Sequence, residues 1–181
     1  GPKFGIEGIR ELVSEERRPL ILNMIKPCTG FTPDIGAKIF YNTALGGVDF
    51  IKDDELLGNP NFCPVTDRVK AYLKAAQAAY EKTGKKTIYI PNITDSGNKF
   101  LENARDAVDL GAQAVMINYA SVGYDGLKIL SDEIDVPILG HYASSGMFYE
   151  GERSGMSYHL AVAKLPRIAG ADVVIVNTPY G

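Results

Sequence analysis

The sequence predicts an α/β fold of the (β/α)8 TIM-barrel type, incomplete at about six βα units, and three observations carry that prediction. Short apolar runs alternate with longer helical patterns along all 181 residues, with no low-complexity tract or linker between them. Most of the short runs are apolar throughout, as parallel strands covered on both faces are. Polar residues gather at or just after the carboxyl ends of several different runs: Lys26, Lys52 with Asp54 and Glu55, Asn92, Asn118, His141 and Asn177. A barrel produces that distribution, because its active site collects contributions from all the strand ends at one face.

The elements follow in order. The first strand is expected over Leu20–Lys26 and the first long helix over Pro33–Ala44, ended by Gly46-Gly47. The second strand, Asp49–Asp54, leads to a helix over Val65–Lys82 that stops at Gly84. Strand three, Thr87–Thr94, precedes a helix over Asn98–Leu110 with Gly111 behind it. Ala114–Ala120 and Tyr124–Glu133 form the fourth unit, and Pro137–Tyr142 is the fifth strand. A helix over Tyr158–Ile168 ends at Gly170 before the sixth strand, Asp172–Asn177. The segments "LGGVDF", "LGAQAV" and "AGADVV", beginning at Leu45, Leu110 and Ala169, repeat one pattern of helix end, glycine and strand.

A doubly wound open sheet shares this alternation, but no G-x-G-x-x-G follows the first strand, and the scattered polar strand ends favour the barrel. A complete barrel takes about 250 residues. The chain ends just after a strand, at Pro179-Tyr180-Gly181, so residues 1–181 read as one partial barrel domain with its last two units absent.

Composition narrows the function classes. At 45% hydrophobic and net charge −3, the chain can bury a real core. Its basic clusters are no longer than Arg17-Arg18 and Lys85-Lys86, which argues against nucleic acid and anionic membrane and for a small-molecule site. Cys28 and Cys63 occur with no signal-peptide core and no long apolar stretch, so a reducing cytoplasmic setting without a disulfide is expected.

The most chemically loaded segment is Gly47-Val48-Asp49-Phe50-Ile51-Lys52-Asp53-Asp54-Glu55. Three successive carboxylates beside an apolar core repel one another unless a cation or paired hydrogen bonds neutralise them. Oxygen ligands favour a hard divalent ion, Mg²⁺ first and Ca²⁺ or Mn²⁺ behind it. Period 2 puts Lys52 and Asp54 on one face and Asp53 on the other, where a salt bridge or a solvent contact outside the barrel is expected for it. Glu55 would share the far face with Asp53 unless it swings in where the strand ends.

This segment resembles the active-site signature of the RuBisCO large-chain superfamily. The similarity extends through Gly1-Pro2-Lys3-Phe4-Gly5-Ile6, Arg18-Pro19-Leu20 and Ile25-Lys26-Pro27 and runs in register to the end. The resemblance implies that Lys52 reacts with CO₂ to form a carbamate, which binds Mg²⁺ together with Asp54 and Glu55. It implies that Lys26 adjusts the acidity of a substrate carbon or delivers a proton. His141 is implied to bind substrate hydroxyls or move protons, its alternative being a hydrogen-bonded core histidine. Asn92 and Asn118 would orient carboxylates or bind substrate, and Asn177 would bind substrate. Cys28 would touch substrate or be an inert thiol, and His159 is expected to be structural. The resemblance further implies an absent N-terminal domain and a homo-oligomeric parent in which a neighbouring subunit completes the site.

The departures matter as much. Cys28 stands where a carboxylase has the second lysine of K-P-K, Tyr142 where it has an arginine for a substrate phosphate, and Ile175 where it has a phosphate-binding histidine. CO₂ fixation is therefore not expected. The pattern is similar to RuBisCO-like proteins of the form IV branch, and Asn23–Phe31 looks most like members that decarboxylate 3-oxo-isoapionate 4-phosphate. The alternatives are a 2,3-diketo-5-methylthiopentyl-1-phosphate enolase or a methylthioribulose-1-phosphate isomerase of methionine salvage, a Schiff-base aldolase using Lys52 or Lys26, and an inactive barrel fragment.

Overall fold

The computed structural model describes residues 1–177, and the chain alternates strand and helix nearly throughout. Helix α1 (Gly5–Val13) precedes β1 (Leu22–Met24), α2 (Pro33–Leu45), β2 (Phe50–Lys52), α3 (Val65–Thr83), β3 (Ile88–Ile90) and α4 (Lys99–Asp109). There follow β4 (Val115–Asn118), α5 (Tyr119–Glu133), β5 (Ile138–His141), a 3₁₀ turn (Ser145–Phe148), a π-helical stretch (His159–Lys164), α6 (Leu165–Ala169) and β6 (Val173–Val174).

Every strand pair is parallel, in the order β1-β2-β3 and β4-β5-β6. A parallel bridge from Asn92 to Met116 joins the two sets, with Ile93 N–H donating to Met116 O at 2.9 Å and Met116 N–H to Pro91 O at 2.8 Å. Strands therefore follow one another in sequence order with no reversal. That is the topology of a partial (β/α) barrel and excludes the doubly wound sheet, whose strand order turns back at a switch point.

The pleat sorts side chains into two cores. Ile51, Tyr89, Val115, Ile117 and Ile138 face outward and pack under the helices with Phe40, Val69, Tyr72 and Leu127. Phe50, Ile88, Ile90, Met116 and Leu139 face the barrel interior. Ile9, Leu12 and Val13 of α1 pack against this inner set, so α1 belongs to the interior rather than to the outer ring of helices. Sequence reading found no helix there: α1 begins without a side-chain N-cap, and its apolar residues acquire a face only when the barrel interior exists.

The repeated glycine-strand segments have a shared physical purpose. Gly47, Gly84, Gly111 and Gly170 all take positive φ at the helix exits, a conformation costly for any residue with a Cβ. Behind two of them stands an aspartate that ties its own strand to the preceding one. Asp49 accepts Ile21 N–H at 2.8 Å, and Asp172 accepts Ile138 N–H at 3.0 Å. Asp172 also caps the entry to α1 through Phe4 and Gly5 N–H at 2.7 and 2.9 Å. Arg18 grips Asp49 with two nitrogens, at 2.7 and 2.5 Å, and holds that carboxyl down at about 2.

Three expectations need correction. The strands are shorter than the apolar runs, so Lys26, Asp54, Asn92 and Asn177 lie beyond their ends, although single backbone hydrogen bonds such as Ile25 N–H to Lys52 O and Asp53 N–H to Ile90 O continue the pairing by a residue. The fourth unit reaches helical geometry at Tyr119 but breaks at Gly123 (φ 82°, ψ 157°), so the regular helix starts near Tyr124 as expected. The Tyr158–Ile168 helix is π-helical over His159–Lys164, with His159 exposed on it. Both cysteines are free thiols, Cys63 buried and Cys28 half-buried.

Candidate active site at the carboxyl ends of the strands

Lys52 closes β2 facing inward and is 3% exposed. Its Nζ donates to Asp53 O at 3.0 Å and to Met24 Sδ at 3.1 Å, and lies 3.5 Å from Glu55 Oε2. Burial lowers its pKa against the pull of Glu55 and Asp54, which raises the share of free amine. Asp54, fully buried, accepts Leu56 N–H at 2.8 Å on Oδ1 and pairs through Oδ2 with the Lys26 amine. That hydrogen bond raises the pKa of Lys26, which is otherwise about half exposed.

Glu55, which strand alternation would turn outward, turns inward past the strand end, toward Lys52 and His141. Its Oε2 is buried without a hydrogen-bond partner and sits 3.6 Å from His141 Nε2. His141 accepts Ala143 N–H on Nδ1 at 3.0 Å, so the neutral ring carries its proton on Nε2, toward Glu55. Burial, and then the charge of Lys52, pull its pKa down to about 4 despite Glu55. Tyr142 stacks on the ring at 5.2 Å between centroids.

The two asparagines differ. Asn92 is fully buried and spends its amide on the ligand segment, with Nδ2 donating to Asp54 O at 3.2 Å and Glu55 O at 3.0 Å and Oδ1 accepting from Thr94 N–H and Oγ1. Of the two expected roles its contacts fit orientation. Asn118 donates Nδ2 to Glu55 O at 2.8 Å and leaves a buried Oδ1 without a partner. Asn177 stands apart, exposed, accepting from Tyr142 OH and donating its N–H to Tyr158 OH at 2.9 Å. None of those bonds reaches the Lys52 cluster.

Asp53 resolves the electrostatic problem of three adjacent carboxylates. It faces outward but meets no solvent, being 1% exposed. Its partners are Arg68 Nε at 3.2 Å, Tyr89 OH at 2.9 and 2.8 Å, and Asn92 N–H at 2.9 Å. Of the two outcomes expected for it, the salt bridge holds and the solvent contact does not. Arg68 is the functional-site neighbour that sequence reading missed, since a single arginine inside an amphipathic helix looks like a solvated residue.

Do these residues suit a divalent cation? Glu55 Oε2 and Asn118 Oδ1 are buried acceptors that receive no hydrogen bond from the described residues, and such oxygens require a donor or a cation. Among the described residues no group of three or more His, Cys, Asp or Glu side chains gathers closely enough to hold a metal by itself. Two carboxylates with a buried lysine beside them would complete a ligand set only if that lysine became anionic. The donor chemistry therefore fits Mg²⁺ with a Lys52 carbamate, Asp54 and Glu55, provided Lys26 releases Asp54 Oδ2. A cavity of about 950 Å³ lies at the opposite ends of the strands against Arg18, Lys85, Lys86 and Gln113, away from this cluster.

The family model described as "Ribulose bisphosphate carboxylase large chain, catalytic domain" matches residues 5–181. This chain belongs to the RuBisCO large-chain family. It is 46% identical, over its whole length, to a ribulose bisphosphate carboxylase-like protein of Archaeoglobus fulgidus, covering 42% of that protein. It is 41% identical to a putative 2,3-diketo-5-methylthiopentyl-1-phosphate enolase of Shouchella clausii, again over its whole length and covering 49% of the relative. The fold superposes on the rubisco-like protein MtnW of Alicyclobacillus acidocaldarius with a TM-score of 0.93 at 38% identity, covering all of this chain and 46% of that one. A dimeric archaeal Rubisco from Hyperthermus butylicus gives a TM-score of 0.87 at 33% identity, with 94% of this chain and 40% of that one covered. The chain thus spans under half the length of these RuBisCO relatives.

Proposed function

We propose that the full-length protein containing this segment catalyses Mg²⁺-dependent enolisation of a phosphorylated ketone, with 2,3-diketo-5-methylthiopentyl 1-phosphate as its substrate. The observation that carries the reading is the buried Lys52 amine beside Asp54 and the unpartnered Glu55 oxygen, a set that accounts for itself once it holds a cation. The substrate rests on the name of the Shouchella clausii relative. That name supports the diketo-phosphate over 3-oxo-isoapionate 4-phosphate, which rested on Asn23–Phe31 alone.

Bound Mg²⁺ would stabilise the negative charge that develops on a substrate oxygen as a neighbouring carbon loses its proton. The residues around it divide the remaining work. Lys26, half exposed and held by Asp54, is the residue we assign to moving the carbon-bound proton once that carboxylate is withdrawn from it. His141 is neutral near pH 7 and presents Nε2–H, which suits it to donate a hydrogen bond to a substrate oxygen rather than to deliver a proton as a cation. Asn118 Oδ1 offers an acceptor to a hydroxyl.

The positions that depart from a carboxylase support enolisation without CO₂ fixation. Tyr142 is committed to His141 and Asn177, and Ile175 packs with the barrel interior. A homo-oligomeric parent is supported by the dimeric archaeal relative, and a cytoplasmic setting by two free thiols. No described helix is long and apolar enough to cross a membrane.

Replacement of Lys52 by alanine in the full-length protein is the direct test. The expected result is loss of both Mg²⁺ binding and substrate enolisation, with the carbamate visible by mass spectrometry of the wild type alone after bicarbonate treatment. Undiminished turnover in Lys52→Ala refutes the assignment.

A further inference from the structure

We infer that Arg68, on the far side of β2 from the chemistry, is a positioning residue that sets the aim of Asp54 and Glu55. The inference rests on the metal reading above and adds to it a residue outside the site.

Arg68 is 0% exposed. Its guanidinium reaches four acceptors on three stretches of chain: Asp53 Oδ2 at 3.2 Å, Gly58 O at 2.8 Å, Cys63 O, and Asn92 O at 3.3 Å. Those acceptors are the strand end that carries the ligands, the middle and end of the loop that follows, and the end of β3. The path to the ligands is short. Arg68 holds the carbonyl of Asn92, Asp53 holds its N–H at 2.9 Å, and the Asn92 side chain holds the carbonyls of both Asp54 and Glu55. Tyr89 OH fixes Asp53 from the remaining side.

Alternation along a strand is what lets one backbone serve both purposes. Asp53 faces outward into the Arg68 network while Lys52 and Asp54 face inward, so anchoring the outward carboxylate clamps the main chain on which the inward ones are mounted. A buried ion pair contributes little net stability compared with apolar packing of the same volume, and what it can provide is a fixed geometry. The planar fork of arginine is needed to do it. A lysine carries the same charge but has three donors on one nitrogen and cannot span four acceptors that lie in different directions.

The test compares Arg68→Lys, Arg68→Met, Asn92→Ala and the distant core variant Leu127→Ala in the full-length protein. Mn²⁺ binding in bicarbonate is read by electron paramagnetic resonance, alongside the thermal midpoint and the elution volume. Leu127 is likewise 0% exposed but sits on the buried face of α5 and makes none of these hydrogen bonds, so its truncation loosens the fold without touching this network. We expect Arg68→Lys to elute as the wild type does and to bind Mn²⁺ roughly tenfold or more weakly, the scale on which supporting partners of metal ligands act. Leu127→Ala should keep wild-type affinity at an equal or larger loss of thermal midpoint. Should Arg68→Lys and Arg68→Met fail to fold, Asn92→Ala, which removes the last step to the two carbonyls together with the bonds to Thr94, carries the same expectation. Wild-type Mn²⁺ affinity in a folded Arg68→Lys or in Asn92→Ala overturns the inference, as does an equal loss in Leu127→Ala. No Mn²⁺ binding by the wild type itself would instead overturn the metal reading on which the inference stands.

Discussion

Asp53 and Glu55 are two residues apart, carry the same charge, and should fail in opposite ways when made neutral. In Asp53→Asn the shape is kept and the amide oxygen can retain the bonds made to Oδ2, but the Arg68 charge loses its counter-ion where neither group is more than 1% exposed. Stranding one partner of a buried pair costs about 3–5 kcal/mol, and the retained hydrogen bonds put this case near about 3 kcal/mol. At about 2–4 °C per kcal/mol for a domain of this size, the thermal midpoint should fall by about 6–12 °C. Glu55→Gln removes no hydrogen bond from Oε2, because it has none, and only weakens attractions to Lys52 and His141 at 3.5 and 3.6 Å. Its stability should change by less than in Asp53→Asn, because Lys52, whose pKa burial already lowers, can shed its charge when Glu55 is neutral whereas Arg68 cannot. Its Mn²⁺ affinity, however, should fall by more than roughly tenfold, as loss of a ligand should exceed loss of a supporting partner. Differential scanning calorimetry of both variants, with Mn²⁺ titrations on each, tests the contrast. An unchanged midpoint in Asp53→Asn, or a large drop in Glu55→Gln with metal binding intact, would show that the inward and outward roles are wrongly assigned.

Two further outcomes follow from the same geometry. The pKa of His141 is depressed to about 4 from an ordinary value of 6.5, so between those values the unfolded chain binds a proton that the folded chain refuses. Stability from this group is intact above pH 6.5 and should be lost as pH falls toward 4, by about 3 kcal/mol at about 1.4 kcal/mol per unit; denaturant midpoints should show that limb in the wild type and a flatter one in His141→Gln. Asp172→Ala leaves the N–H groups of Phe4, Gly5 and Ile138 without their acceptor. It should cost about 3 kcal/mol and raise hydrogen exchange selectively across Gly5–Val13.

Several parts of this arrangement were readable in the chain because they depend on local periodicity. Glycines at the helix exits mark the positive-φ turns, and the two-residue repeat of a strand separates Lys52 and Asp54 from Asp53. The RuBisCO signature itself is one contiguous segment. What was illegible depends on residues far apart in sequence. Helix α1 escaped notice because its apolar residues face the interior of a barrel that no local window contains. Asn92, which the sequence left between orientation and substrate binding, reveals its contacts only when β3 lies beside β2 and its amide meets the carbonyls of Asp54 and Glu55.

The sequence by itself determined the βα rhythm, the inward and outward sides of the carboxylate run, and the need for countercharges, because spacing along a pleated strand and repulsion between like charges are local matters. The tertiary structure decided which countercharge each carboxylate receives. Asp53 takes Arg68 from 15 residues away, Asp54 takes Lys26 from 28 residues away, and Glu55 is left with an unpartnered oxygen facing Lys52 and His141. Lys26 and His141 reach Asp54 and Glu55 from other strand ends, and parallel strands meet only after a helix has carried the chain back, so no window of neighbouring sequence contains those pairings.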